Sequence, residues 1–342
     1  MSISECIQTT KLIASPGKGI LAADESDSTI KKRFDSINTE STKENRRVYR
    51  TMLFSTPNLS NFISGIILFE ETLFQKMDNG MTIPEFLLQN NILPGIKVDK
   101  GLIDLAASDN EKVTQGLDFL SDRIKHYKEA GAKFAKWRCV YNIGTHKPSD
   151  QAIHSNSECL ARYAAICQQH GIAPIVEPEI LINGHHNIEE CAQASEKVFS
   201  DVFSALERHH VCLEGIILKP SMVIAGDECT TQAPPEHVAK YTLKILKRTI
   251  PSAVPTINFL SGGQTPEQAT LHLDLMNKLE DTPWNLSFSY GRALQEPALN
   301  AWAGNSKNIR SAQNALYKRA QLNGLAAKGE YSQDLETETV TY

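Results

Sequence analysis

The sequence predicts an α/β fold, a closed parallel (β/α)8 barrel. Three observations predict it. Eight strand-like apolar runs alternate, for the most part, with helical segments. The runs end at Asp24, Phe69, Lys97, Lys136, Glu177, Lys219, Ser261 and Ser289, in steps of 45, 28, 39, 41, 42, 42 and 28 residues, close to one βα unit each. Almost every run ends on a polar group, as barrel strands do at the face where barrels carry their chemistry. An open doubly wound sheet is the competing architecture, and it carries a glycine-rich phosphate loop after an early strand. Here Pro16-Gly-Lys-Gly19 precedes its strand instead.

Taken in order, residues 3–14 read as a short helix that Pro16-Gly-Lys-Gly19 ends. Gly19 to Asp24 is the first strand, and a polar loop from Glu25 to Thr29 follows. Residues 41–55 read as a helix capped by Ser41 or Thr42. Phe62 to Phe69 is a strand with Gly65 inside it, and Gly95 to Val98 is a shorter one. Residues 111–130 read as a long amphipathic helix. Phe134 to Val140 is a strand, and the helix 155–170 stops at Gly171. Ile172 to Glu177 is a strand and 188–210 a helix. Leu213 to Lys219 reads as a buried strand, apolar and β-branched, which Pro220 ends because it has no N–H to donate. If Lys219 points one way, Ile217 and Gly215 share its face, and Ile216 and Leu218 take the other. Pro234 and Pro235 start a helix to about 250. Thr256 to Leu260 is a strand, Thr265-Pro266 starts another helix, and Leu286 to Ser289 is the last strand. Helical segments continue to about 328. The expected division is a single barrel domain over 1–328 and a mobile, acidic tail over 329–342.

Lys and Arg total 35 against 40 Asp and Glu, a net charge of -5. That balance argues against non-specific binding to nucleic acid or an anionic membrane, and leaves room for a local basic pocket. No apolar run reaches the length of a membrane span, and Met1-Ser-Ile-Ser-Glu-Cys6 has no basic stretch before an apolar core. The seven cysteines form no C-x-x-C pair. Free thiols in a reducing cytoplasm are the expectation.

In a barrel the strand ends would bring together Asp24, Lys97, Lys136, Arg138, Glu177, Glu179, Lys219, Ser261, Ser289 and Arg292. Alternation puts Lys136 with Arg138 on one face, and Glu177 with Glu179. A lone lysine at a strand end is more often a snorkelling side chain than a nucleophile. So many converging charges argue otherwise, because unpaired buried charge is costly. Two lysines close together in a low-dielectric pocket repel, and repulsion with desolvation depresses an amine's pKa. A neutral amine nucleophile can then form a Schiff base, with a neighbouring carboxylate shuttling protons. Lys97, Arg138 and Arg292 imply an anionic substrate. Ser261-Gly-Gly-Gln-Thr-Pro266 offers backbone N–H groups at a helix start, the usual barrel phosphate site, although outside a barrel it would be a plain turn.

Taken together, Gly19-Ile-Leu-Ala-Ala-Asp-Glu-Ser26, Gly95-Ile-Lys-Val-Asp-Lys-Gly101, Ala135-Lys-Trp-Arg-Cys139, Ile175-Val-Glu-Pro-Glu-Ile180, Leu218-Lys-Pro220, Phe259-Leu-Ser-Gly-Gly-Gln264 and Phe288-Ser-Tyr-Gly-Arg-Ala293 resemble class I fructose-1,6-bisphosphate aldolase. The resemblance runs from about residue 10 to the C-terminus. It implies a (β/α)8 TIM barrel, a homotetramer, and a cytoplasmic role in glycolysis and gluconeogenesis. By the resemblance Lys219 is the Schiff-base lysine and Glu177 the acid/base for carbinolamine dehydration. Asp24 faces the substrate hydroxyl at the cleaved bond. Lys136 supplies positive charge, and Glu179 holds a lysine in place. Ser261, Gly262, Gly291 and Arg292 surround one phosphate, and Gly263 and Ser289 are further substrate- or phosphate-binding residues. Ser26, Thr29, Lys97 and Arg138 lie near the other phosphate, with Arg33 and Arg46 as rim arginines. Tyr342 is the terminal tyrosine that assists enamine protonation. Two departures stand out: Ser26-Asp-Ser-Thr29 replaces the Ser-Thr-Gly-Ser of many relatives, and Ser221 replaces Asn.

A lysine imine is its own electron sink, so the expected reaction uses no metal and no cofactor. A zinc-dependent aldolase would need clustered histidines with a carboxylate. The only histidine pairs, His185-His186 and His209-His210, read as surface residues. A pyridoxal phosphate enzyme uses a lysine imine without a second lysine beside it. The reading from another class is a non-catalytic scaffold of the same fold that binds cytoskeletal or other proteins. Loss of Lys219, Glu177 or Asp24 would have favoured it, and all three are present.

Overall fold

A computed structural model describes residues 2–338. Eight parallel strands close into a barrel: β1 (Gly19–Ala23), β2 (Ile63–Leu68), β3 (Leu93–Lys97), β6 (Phe134–Tyr141), β7 (Ala173–Ile180), β8 (Ile217–Leu218), β9 (Thr256–Phe259) and β10 (Asn285–Tyr290). A separate antiparallel hairpin, β4 (Leu102–Asp104) and β5 (Lys112–Thr114), lies between β3 and β6 in sequence. The barrel closes where Ile20 of β1 pairs with Ser289 of β10. No helix among the described residues is long and apolar enough to cross a membrane.

Side-chain alternation sorts the barrel into two cores. Ile20, Ala22, Ile67, Phe134, Ala173, Ile175 and Ile217 form the inner cluster, with Cys6 and Ile13 of helix α1 (Ser2–Ile13) packed against it. Leu21, Ala23, Ile66, Leu68, Ala135, Val176, Ile216 and Leu218 belong to the larger cluster shared with the helices. Ile217 is therefore inside and its neighbours Ile216 and Leu218 outside, as the alternation around Lys219 predicts. Glycines make room for the inner layer. A Cβ on Gly95 would lie 2.2 Å from the Phe134 ring, and one on Gly65 2.9 Å from it.

Three expectations need correction. The stretch after β1 is not a loop to Thr29: helix α2 (Asp27–Asp35) starts there and buries Ile30 and Phe34, one turn apart. Residues 111–130 are not one helix. Val113 pairs with Ile103, Gly116 takes φ +118, and helix α6 covers only Leu120–Glu129. The strand before Lys219 is shorter than expected. Leu213–Gly215 is a 3-10 turn, where Gln168 bonds both the N–H and the carbonyl of Cys212, so only Ile217 and Leu218 pair as β8. The Lys219 N–H still donates to Val176 O at 2.9 Å, which fixes the lysine beside β7.

The other helices hold the expected places. They include α3 (Lys43–Phe54), capped by Thr42, α7 (Asp150–Gln169) and α8 (Ile188–Arg208), while two short helices the sequence did not mark, α4 (Glu70–Leu73) and α5 (Ile83–Gln89), lie between β2 and β3. Later come α9 (Pro235–Thr249), α10 (Pro266–Leu279), α11 (Arg292–Trp302) and α12 (Ile309–Ala326). Beyond α12 the chain packs back on the barrel as far as it is described. Tyr331 is buried, its N–H donates to Asp274, and its hydroxyl donates to Glu336, which also pairs with Arg319.

Candidate active site

Four of the inner apolar residues are each followed, two positions on, by a charged one. Ala22 leads to Asp24, Phe134 to Lys136, Ile175 to Glu177 and Ile217 to Lys219. The four charged residues line the floor of a cavity of about 500 Å³ at the carboxyl ends of the strands. They form one chain of contacts. The Lys136 ammonium donates to Asp24 Oδ2 at 3.0 Å and lies 3.1 Å from Glu177 Oε2. The other Glu177 oxygen, Oε1, is 3.2 Å from Lys219 Nζ. All four are at least nine-tenths buried.

Burial pushes the Asp24 carboxyl up, but Lys136 and then Lys219 outweigh it and hold its pKa at about 2. Burial likewise works to lower the Lys136 pKa, and Asp24, Glu177 and Asp99 raise it above the usual lysine range. Glu177 stands between the two ammonium groups, and Lys136 faces more negative than positive charge. It is a fixed cation.

One wall of the cavity is cationic. Lys97 Nζ donates to Asp99 Oδ1 at 2.7 Å and to Asp99 O at 3.2 Å. Arg138 donates through Nε to Glu179. Glu179 therefore holds an arginine and not the lysine expected of it: it pairs with Val140 on the neighbouring strand, and Arg138 lies two residues along. At the rim, Ser26, Thr29 and Arg33 line the cavity from one face of α2, at i, i+3 and i+7. Ser26 Oγ lies 3.1 Å from Thr29 Oγ1. The Asp27 side chain is 71% exposed and turned toward Arg46, so its charge stays outside the cavity. Arg46 does not line the cavity either. It forks onto Glu71 at 2.9 and 2.6 Å and donates to Ser41 O.

The opposite wall carries Ser261, Gly262, Ser289, Gly291 and Arg292. Ser261-Gly-Gly precedes α10, and Gly291 is the residue before α11, so two helix starts meet there. Arg292 is exposed and donates to Gln264 O at 3.1 Å, and His272 bonds the Gln264 side chain at 2.6 Å. Gly263 is not among the lining residues. It takes φ +75, and a Cβ there would meet Ile182 at 2.7 Å, so its work is the turn. Ser221, the replacement for Asn, bridges the N–H and carbonyl of Ile180 at the end of β7. Tyr342 lies outside the described residues.

Residue-by-residue reading missed Glu25 and Asp99, although both sit inside the quoted motifs. Glu25 receives Arg33 at 2.6 Å and Gln295 at 2.7 Å, with the buried Arg50 on its backbone carbonyl at 2.9 Å. Of the histidine pairs, His186 is buried and not on the surface, packed beside Gly226. No group of three or more His, Cys, Asp or Glu is placed to hold a metal ion among the described residues.

The comparisons with known proteins agree with this geometry. A family model described as fructose-bisphosphate aldolase class-I matches residues 5–341. The chain is 52% identical to the cytosolic fructose-bisphosphate aldolase 4 of Arabidopsis thaliana, over 97% of this chain and 85% of that protein. It is 54% identical to fructose-bisphosphate aldolase 1 of Toxoplasma gondii, over 96% and 91%. Among solved structures, the fructose-bisphosphate aldolase of Plasmodium falciparum, in complex with TRAP and a small-molecule inhibitor, superposes with a TM-score of 0.95. It is 52% identical and is matched over 97% of this chain and 96% of that one.

Proposed function

The chain belongs to the class I fructose-bisphosphate aldolase family, and on that premise we propose how its own residues divide the chemistry. The activity is the reversible cleavage of fructose 1,6-bisphosphate to dihydroxyacetone phosphate and glyceraldehyde 3-phosphate, a carbon–carbon lyase reaction of glycolysis and gluconeogenesis. Lys219 attacks the C2 carbonyl of the open-chain sugar. Glu177, against its ammonium, takes the amine proton and returns it to the departing hydroxyl, so that water leaves and a protonated imine remains. Asp24 accepts the proton of the C4 hydroxyl as the C3–C4 bond breaks. The bonding pair moves into the imine and gives an enamine. Reprotonation at C3 and hydrolysis release the second product. Lys136 keeps Asp24 ionised until it is needed and, in contact with both carboxylates, balances the charge that moves between them.

The observation that carries this reading is the unbroken contact chain from Asp24 through Lys136 and Glu177 to Lys219, buried at the mouth of a barrel between the Lys97–Arg138 wall and the wall of Ser261, Gly291 and Arg292. Ser261, Gly262, Gly291 and Arg292 take one phosphate, and Ser26, Thr29, Arg33, Lys97 and Arg138 take the other. Arg46, held by Glu71 outside the cavity, is a rim arginine, and Tyr342 keeps its proposed part in enamine protonation. A cytoplasmic homotetramer is part of the proposal. Its support is the cytosolic naming of relatives and the exposed apolar Leu102, Ile103 and Phe119. Protein partners are proposed because the Plasmodium relative is in complex with TRAP, and cytoskeletal ones by the family resemblance alone. Lys219→Met tests the core of the reading. Turnover is expected to fall to background with the fold and substrate binding retained, and appreciable cleavage by the variant would remove Lys219 as the nucleophile.

A further inference from the structure

Asp99 is a carboxylate that the reaction as described does not use. It lies two residues beyond Lys97, past the end of β3, and is 7% exposed. Its Oδ1 accepts from Lys97 Nζ at 2.7 Å and from the Gly101 N–H at 3.2 Å. Its backbone carbonyl accepts from the same ammonium at 3.2 Å. The loop that carries it is tied down in turn. Gly101 takes φ +92, Lys100 N–H donates to Gln115 O, and Gln115 N–H donates to Gly101 O. The carboxylate is thus held by backbone before it holds anything else. Its second oxygen is buried without a hydrogen-bond partner, and the residue lines the same cavity as Lys136 and Arg138.

We propose that Asp99 is a positioning residue, which fixes the Lys97 ammonium in the cationic wall and leaves it one N–H for the distal phosphate of the substrate. The inference rests on the reading of Lys97 as a ligand of that phosphate. An ammonium has three N–H groups, and two are taken by Asp99. A buried acid beside an anion site looks like a defect, since a bare carboxylate repels phosphate. Here its charge is matched by Lys97 at contact distance, so the repulsion is muted. The gain is order. A free lysine has four rotatable side-chain bonds to freeze, and without Asp99 that cost falls on the substrate each time it binds. Asp99 also adds to the charge that keeps Lys136 and Arg138 protonated, so the wall stays cationic as a unit.

The test is Asp99→Asn, which keeps the shape and removes the charge, assayed with fructose 1,6-bisphosphate and with fructose 1-phosphate. The second sugar lacks the distal phosphate and reports on the fold and on the chemistry. The KM for the bisphosphate is expected to rise about tenfold, the loss of a hydrogen bond to a charged group. The effect on kcat, and on the KM for the monophosphate, is expected to be far smaller. Lys97→Met should show the same split, and Asp99→Asn added to it should raise the bisphosphate KM no further. If Lys97→Met shows the split while Asp99→Asn binds the bisphosphate like wild type, Asp99 positions nothing and the proposal falls alone. Equal losses on both sugars would make Asp99 a structural charge and also overturn it. A Lys97→Met variant without the split would bring down the reading of Lys97, and this inference with it.

Discussion

Lys136 touches Asp24 and Glu177 at once, at 3.0 and 3.1 Å, and its side chain is 6% exposed. A buried cation between two carboxylates is needed by both, because each would otherwise be an uncompensated buried charge. Lys136→Met is expected to destabilise the protein by about 3–5 kcal/mol and to lower kcat about a hundredfold or more. Urea unfolding and steady-state kinetics measure the two effects, and a variant with wild-type turnover would reduce Lys136 to a structural charge. Asp24, Lys136, Glu177 and Lys219 were legible in the sequence because alternation along a strand is a local rule. Each lies two residues beyond an inner apolar side chain. Partnerships across strands were not legible. Glu179 meets Arg138 through the pairing of β7 with β6, which the spacing of neither motif shows.

At the scale of elements, the barrel floor is set by one large ring. Phe134 of β6 fills the interior, and the neighbouring strands β3 and β2 present Gly95 and Gly65 to it. Gly95→Ala places a methyl 2.2 Å from the ring, which must then move with its strand. Thermal unfolding is expected to show a loss of about 1–3 kcal/mol, as overpacked cores do. Phe134→Leu in the same chain should recover part of it, and two losses that simply add would place the conflict elsewhere. Strand positions were legible from apolar runs, because a barrel strand is buried on both faces. The hairpin of β4 and β5 was not. Leu102 and Ile103 are exposed, so no burial pattern marks them as a strand, and the apolar residues that follow suggested a helix beginning at 111. Helix α2 was hidden by its polar first turn, where only Ile30 and Phe34 face the core.

For the molecule as a whole, the repeat of about 40 residues was enough to predict closure, because eight βα units with strands of one direction have few other ways to bury both faces. Stability carries a signature of the phosphate-binding wall. Burial holds His272 neutral beneath Gln264 and lowers its pKa to about 4, with Glu236 opposing. Between pH 6.5 and 4 the unfolded chain therefore binds a proton that the native one does not, so this group's contribution falls as pH falls. The loss across that window is about 3 kcal/mol. His272→Gln should flatten that part of the unfolding profile relative to wild type, and parallel profiles would show that His272 is not the group responsible. The central claim is that this barrel works through a covalent imine on Lys219. It is tested most directly by reduction with borohydride in the presence of fructose 1,6-bisphosphate, followed by mass mapping of the peptides. The account predicts inactivation together with a single reduced triose phosphate adduct on Lys219. An adduct on Lys136 or Lys97 instead, or full activity with no adduct at all, would contradict it.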